Sequence, residues 1–327
     1  MTKLNIAVLA GGPSAERDIS LMGGRAVADA LAGLGHAVTF ADVGPDNLAV
    51  LDTPGLDVVF PVLHGPWGED GQIQRILEAR GLPYVGSGPA ASALAMDKVA
   101  SKAAFVNANL PTPAWQVWSK WPGDYGGPFP VVAKPIDQGS SVDLTIAHTT
   151  DELREAVARI CQRYGRCMVE EFISGRELTV GVLDGATLPP IEIVVHGHEF
   201  YDYQAKYFDD TTEYRMDPVL PAGVRGEMIR LAREAHAALG CRDFSRVDIL
   251  LREDNGPFIL EINTIPGFTG HSLVPKAAAH VGLNFAALCD RLIGMAMARK
   301  KDAGTRRRRD AGTKRRGEGA MARGREE

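Results

Sequence analysis

The chain has 327 residues, of which 45% are apolar and 24% charged, with a formal net charge of −5. That length suggests two or three domains of ordinary globular composition. No stretch approaches the ~18 uninterrupted apolar residues of a membrane span, and an acidic balance argues against nucleic acid as the main ligand.

In chain order, residues 4–10 form an apolar strand that starts at once, with no basic leader or long apolar core ahead of it, so no secretory signal is expected. Gly11-Gly12-Pro13-Ser14 is a turn, and from Ser20 the residues Val27, Ala28, Leu31 and Leu34 recur at helical spacing up to Gly35. Residues 57–63 read as a second buried strand and 72–80 as a helix stopped at Gly81. This is a doubly wound α/β pattern. The glycine turn is not GxGxxG, so no dinucleotide site is expected.

After Met96 the texture changes. Residues 97–107 read as a short helix, 131–134 and 143–147 as strands, and Thr150 as the cap of a helix whose Leu153, Val157, Ile160 and Tyr164 share a face. Strands follow at 167–172, 177–183 and 188–195, then a helix at 222–239, then strands at 245–251 and 258–263. The expected division is an N-terminal α/β substrate-binding domain (1–96), a small α+β domain (97–173), a larger sheet-rich domain (174–298) and a tail (299–327). The tail holds twelve Lys/Arg and five acids, which leaves 24 basic and 36 acidic residues elsewhere. Poor in large apolar residues, it is expected to be disordered. Cys161, Cys167, Cys241 and Cys289 are widely spaced with no CxxC pair, as in a reducing cytoplasm.

The most informative stretch is the last strand pair. Alternation puts Arg246 and Asp248 on one face and, on the partner strand, Glu261 and Asn263 together. With Asp254-Asn255 as the loop, Asp248 faces Glu261; with Asn255-Gly256, it faces Asn263; only a three-residue loop breaks the grouping. Hard oxygen donors of this kind suit Mg²⁺ carrying nucleotide phosphates, and an edge of carboxylates held by one Arg is the plain alternative. Lys134 at a strand end precedes Gly139-Ser140-Ser141, whose backbone N–H groups can wrap a phosphate, or form a surface turn. Glu170 and Glu171 face opposite sides of their strand. Glu170 is a candidate for an adenine amino group and Glu177 for ribose hydroxyls. Residues 200–207, rich in Tyr, read as a lid or as packing. His64 lies in a loop after a strand, where ligands of open α/β sheets sit, and the Gly267 N–H follows the carboxylate strand as a candidate oxyanion donor.

Together these segments resemble D-alanine–D-alanine ligases of the ATP-grasp superfamily over nearly all of residues 3–298. The match is carried by residues 11–20, His64-Gly65 with Gly68-Glu69-Asp70-Gly71, Met96-Asp97-Lys98, Lys134-Pro135 with Gly139-Ser140-Ser141-Val142, Tyr201-Asp202-Tyr203 with Ala205-Lys206-Tyr207, and Glu261-Ile262-Asn263-Thr264 with Pro266-Gly267 and residues 271–275. The resemblance implies an N-terminal α/β domain followed by a two-part ATP-grasp module in a cytoplasmic, homodimeric enzyme. Its implied reaction phosphorylates one D-alanine with ATP to an acyl phosphate and joins it to a second for peptidoglycan. It implies two Mg²⁺ ions (Mn²⁺ can substitute) on Asp248, Glu261 and Asn263. Lys98, Lys134 and Lys206 would meet phosphates, and Glu170, Glu171, Ile173 and Glu177 the nucleoside. Glu16 would bind the first ammonium, linked to Ser140 and Tyr207, with His64 near the first carboxylate. Arg246 and Gly267 would stabilise the oxyanion, and Ser272 and Leu273 would hold the second carboxylate. Tyr207, where relatives that make D-lactate esters tend to carry Phe, favours an amine nucleophile. Departures from the pattern are Gln138, Asp143, Glu171 and the stretch 215–218. The rivals are an ATP-grasp ligase for other substrates and a non-catalytic nucleotide-binding protein.

Overall fold

The structure is a computed structural model describing residues 3–196 and 211–299. Its first sheet has β1 (Asn5–Gly11) between β2 (Ala37–Val43) and β3 (Val58–Pro61), all parallel. Every residue of β1 after Asn5 is buried, as expected for a central parallel strand. Helix α1 (Arg17–Gly33) packs on this sheet through Val27, Ala28 and Leu31. The fit is close at Gly24, where a Cβ would stand 2.5 Å from that of Ala10. The sequence reading missed β2. Its residues are mostly half-exposed, so it lacks the unbroken apolar run that marks β1 and β3. The strand expected at 57–63 is the third, and shorter. Helix α2 (Gln72–Ala79) follows, then α3 (Pro89–Met96) and α4 (Lys98–Asn107). Asp97 caps α4 by accepting from the N–H groups of Val99 (2.9 Å) and Ala100 (3.0 Å).

The second sheet runs β4 (Trp115–Trp118), β7 (Cys167–Glu171), β5 (Val131–Pro135), β6 (Thr145–Ala147), with α5 (Thr150–Tyr164) on one face. The α5 cap is Thr149, one residue earlier than expected, whose hydroxyl accepts from the Glu152 N–H. The third sheet contains β8 (Gly175–Leu183) with the short β9 (Ala186–Thr187) beside it, β10 (Ile191–Val194), β11 (Glu213–Met216), β12 (Phe244–Arg252) and β13 (Pro257–Asn263), in the order β11-β10-β8-β12-β13. Helix α6 (Val224–Ala238) buries Met228, Leu231, Ala232 and Ala235 against it. Helices α7 (Leu273–His280) and α8 (Phe285–Arg299) carry the core back to the first sheet. No single helix among the described residues is long and apolar enough to cross a membrane.

Two details of this framework set the site. The β12–β13 turn is the three-residue loop Glu253–Asn255, closed by Arg252 N–H to Gly256 carbonyl (3.0 Å), with Asn255 left-handed at φ 68°. That loop alone would put Glu261 opposite Val247, on the wrong face. The ladder instead slips by one between Asp248 and Ile249, leaving Leu260 as a bulge, and Asp248 faces Glu261 after all, with Arg246 opposite Asn263. The expected grouping thus survives by a device the sequence reading did not foresee. At the far end, Arg299 does not belong to a disordered tail. Its guanidinium pairs with the buried Asp243 and donates to the Tyr84 carbonyl at 2.7 Å.

Candidate active site

Between the second and third sheets lies a cavity of about 500 Å³, bordered by Lys98, Lys134, Glu170, Glu171, Ile173, Glu177, Asp248 and Glu261. Eight of the residues expected around nucleotide and metal therefore border one space. Lys206 and Tyr207 lie outside the described residues.

On the β12–β13 side of the cavity, Asp248 is buried and takes both arms of Arg246, at 2.8 and 2.7 Å. The Asn263 amide donates to the same carboxylate at 3.1 Å, and Lys98 stands 3.3 Å from Glu261. Two carboxylates and an amide oxygen on one sheet face fit a hard divalent cation such as Mg²⁺. Among the described residues, no group of three His, Cys, Asp or Glu is arranged for a metal, so any cation here would depend on Asn263 and on ligand oxygens. Arg246 and Lys98 balance the acids in the present arrangement.

Beside the loop after β5, the Lys98 ammonium also donates to the Gln138 carbonyl at 2.6 Å. The contact uses backbone, which makes the Gln138 side chain immaterial to it. Ser140 and Ser141 both adopt φ near +50° (50° and 57°), so the loop after β5 has the folded-back backbone of an anion cradle. Asp143 anchors its far side, accepting from Arg163 (3.0 Å) and the Tyr164 hydroxyl (2.5 Å).

On β7, Glu170 and Glu171 face opposite ways as expected, one buried and one exposed. Glu170 is held by two ammonium groups, Lys134 at one oxygen and Lys102 at the other. The Lys102 contact is close but misaligned for a hydrogen bond, so it acts as a charge pair. Burial alone would raise the Glu170 carboxyl, but the two lysines prevail and hold it below the usual carboxylate range. Lys102, fully buried, is pushed down to about 8 by burial, with Glu170 pulling the other way. Sequence reasoning missed Lys102. The available signal was its place one turn after Lys98, on the helix face that also carries Ser101 and Phe105.

A further group of candidate residues is reached from the first sheet. Glu16, just ahead of α1, accepts from the Ser140 hydroxyl across 124 residues of sequence. His64 is buried, and its Nε2 has no hydrogen-bond partner. Burial holds the His64 imidazole below its ordinary value despite the nearby Glu16. Glu69 accepts from the Gly65 N–H at 2.6 Å and is pushed up to about 8 by burial, helped by Glu16. Ser272 caps the space above α7, its hydroxyl accepting from the Thr269 N–H at 3.0 Å, and a Cβ on Gly267 would come within 3.2 Å of it. The Leu273 side chain is in the core, leaving only its backbone at the helix N-terminus to meet a ligand.

Two family descriptions match the chain: "D-ala D-ala ligase N-terminus" over residues 46–87 and "D-ala D-ala ligase C-terminus" over 125–294. Relatives named D-alanine–D-alanine ligase from Gloeobacter violaceus and Bordetella petrii are each 43% identical over 90% of this chain, covering 100% and 92% of their own lengths. Among solved structures, the D-alanine–D-alanine ligase of Bacillus anthracis complexed with ATP superposes with a TM-score of 0.78 at 28% identity, over 92% of this chain and 99% of that one. That of Coxiella burnetii gives the same TM-score and identity over 94% and 98%. An α/β domain followed by two sheets closing on a cavity lined with lysines and acids defines an ATP-grasp enzyme. Within that class, the chain belongs to the D-alanine–D-alanine ligase family.

Proposed function

We propose that the protein joins two D-alanines at the expense of ATP, giving D-alanyl-D-alanine, ADP and phosphate for peptidoglycan, in the cytoplasm and as a homodimer. The observation that carries this reading is the Glu16–Ser140 contact, which sets a carboxylate suited to an amino-acid ammonium beside the phosphate loop. An acid and its phosphoryl donor must meet in this way for a carboxylate to be phosphorylated.

Lys98 and Lys134 neutralise ATP phosphates, and Lys206 reaches the γ-phosphate. Glu171, Ile173 and Glu177 shape the nucleoside pocket with Glu170. Asp248, Glu261 and Asn263 would hold Mg²⁺, which offsets repulsion between ATP and a carboxylate. Glu16, tied to Ser140, holds the ammonium of the first D-alanine, with neutral His64 near its carboxylate and Tyr207 assigned beside them by the family resemblance alone. Phosphoryl transfer gives the acyl phosphate, and the amine of the second D-alanine, held by Ser272 and the Leu273 N–H, attacks that carbonyl. Arg246 and the Gly267 N–H face the oxyanion that develops, and phosphate leaves. The three units 1–96, 97–173 and 174–298, the last with Arg299 added, act as substrate domain and the two halves of the nucleotide clamp.

The test is phosphate release by purified protein with ATP, Mg²⁺ and D-alanine. Release that depends on D-alanine is expected. Release only with other amino acids identifies a ligase of different specificity, and none with any amino acid overturns the reading.

A further inference from the structure

Lys102 is a cation with no route to any ligand. Its side chain is fully buried. Three oxygens surround its ammonium: Glu170 Oε1, the Thr112 hydroxyl at 2.6 Å and the Pro113 carbonyl at 3.3 Å. The ring of Trp115 lies 5.5 Å away. The Thr112 hydroxyl in turn donates a hydrogen bond to the Ile259 carbonyl on β13 at 2.8 Å, two residues from Glu261. Two of its hydrogens go to Thr112 and Pro113, and its charge is paired at contact with Glu170, so the ammonium is turned away from the cavity.

Its consequence is electrostatic and acts through Glu170. That carboxylate sits between Lys102 and Lys134, and Lys134 borders the cavity where Lys102 does not. With both lysines present the trio carries one net positive charge. Without Lys102, Glu170 and Lys134 cancel, and the wall facing the phosphates is left neutral. Charge inside a poorly solvated site is felt strongly over a few ångströms.

We propose that Lys102 is a positioning residue for the nucleotide: it pairs with the Glu170 charge from the buried side, so that Lys134 keeps its positive charge for an ATP phosphate. The inference rests on the reading of the cavity as an ATP site. It makes a distinction that mere packing does not, because the phosphates should feel the loss and the nucleoside should not.

The experiment is calorimetric titration of the full chain with ATP and, separately, with adenosine, in Mg²⁺ and without D-alanine. Lys102→Met is expected to weaken ATP about tenfold, the equivalent of one modest charge interaction, while adenosine affinity stays nearly constant. Adding Glu170→Gln to that variant removes the uncompensated carboxylate; because Glu170 also lines the nucleoside pocket, both ligands can weaken, and the expected recovery is in the ratio of ATP to adenosine affinity, which returns most of the way to the wild-type ratio. Should the methionine variant not fold, Lys102→Gln, which retains a donor for Thr112, carries the same comparison. Equal losses for ATP and adenosine in Lys102→Met, or no recovery of the ATP-to-adenosine ratio in the double variant, would overturn the proposal. A wild-type chain that binds ATP alongside an unimpaired Lys102→Met chain would overturn it alone. A wild-type chain that does not bind ATP would overturn the ATP reading with it.

Discussion

Glu261 is the acid whose charge has the most to do: it faces Asp248 across the ladder and stands 3.3 Å from Lys98. Glu261→Gln keeps the size and one oxygen but removes the charge that a divalent cation requires. Turnover is expected to fall by at least about a hundredfold, in keeping with the loss of one preorganised electrostatic contact, and the Mg²⁺ needed for half-maximal rate should rise. Near-normal phosphate release at ordinary Mg²⁺ would remove Glu261 from the site. A second residue-scale effect concerns stability. His236 is buried on α6, with Nδ1 2.7 Å from the Ser245 hydroxyl, and burial pushes its imidazole down to about 4. Between pH 6.5 and 4 the unfolded chain therefore binds a proton that the folded chain refuses. Stability from this group is full above pH 6.5 and declines as pH falls toward 4, by at most about 1.4 kcal/mol per pH unit. Chemical denaturation of the wild type and His236→Gln across that window should show a shallower acid loss in the variant. Parallel curves would contradict the assignment.

Among the elements, the β12–β13 hairpin shows what spacing can and cannot reveal. Alternation fixed the partners Arg246 with Asp248 and Glu261 with Asn263, because side chains on a strand repeat every two residues. The turn residues did not reveal the loop length, since Asp254-Asn255-Gly256 suits two- and three-residue loops alike, and bulges have no sequence mark of their own. The Leu260 bulge offsets the longer loop. Inserting one alanine between Asp254 and Asn255, at the exposed tip, should change turnover by no more than about twofold, the range of ordinary surface changes. The same insertion between Glu261 and Ile262 sends Asn263 to the opposite face and should abolish turnover. Equal tolerance of both insertions, measured by phosphate release, would contradict the ligand assignment. Legibility varied in the same way elsewhere. Strand β1 and helix α1 were readable from unbroken burial and helical spacing, and β2 was hidden by its half-exposed residues. Lys102 was hidden because a helical lysine ordinarily faces water, and only the fold shows this one turned inward.

For the molecule as a whole, the proposed chemistry requires the first sheet, which brings Glu16 and His64, to stay registered on the third, which brings Arg246 and Asp248. A clamp joins them at Tyr84–Ser87. Asp243 accepts from the Gly86 N–H at 2.7 Å, Arg242 donates to the Gly86 carbonyl at 2.9 Å, and Arg299 spans Asp243 and the Tyr84 carbonyl. Arg299 adjoins a basic run in the sequence, which is why spacing and charge alone assign it to the tail; its partners put it in the fold. Burial raises the Asp243 carboxyl, and Arg299 opposes that rise, so removing Arg299 leaves a buried carboxylate less well compensated. Arg299→Ala is expected to cost about 1–2 kcal/mol, less than a fully buried pair because its side chain keeps 32% exposure. Deleting 300–327 should leave melting temperature and turnover unchanged, and deleting 299–327 should reproduce the single variant. Differential scanning calorimetry beside phosphate release distinguishes these outcomes. If the 300–327 deletion is as destabilised as the longer one, the basic segment itself supports the fold; if neither deletion nor Arg299→Ala shifts the melt, the clamp contributes nothing to holding the two sheets in register.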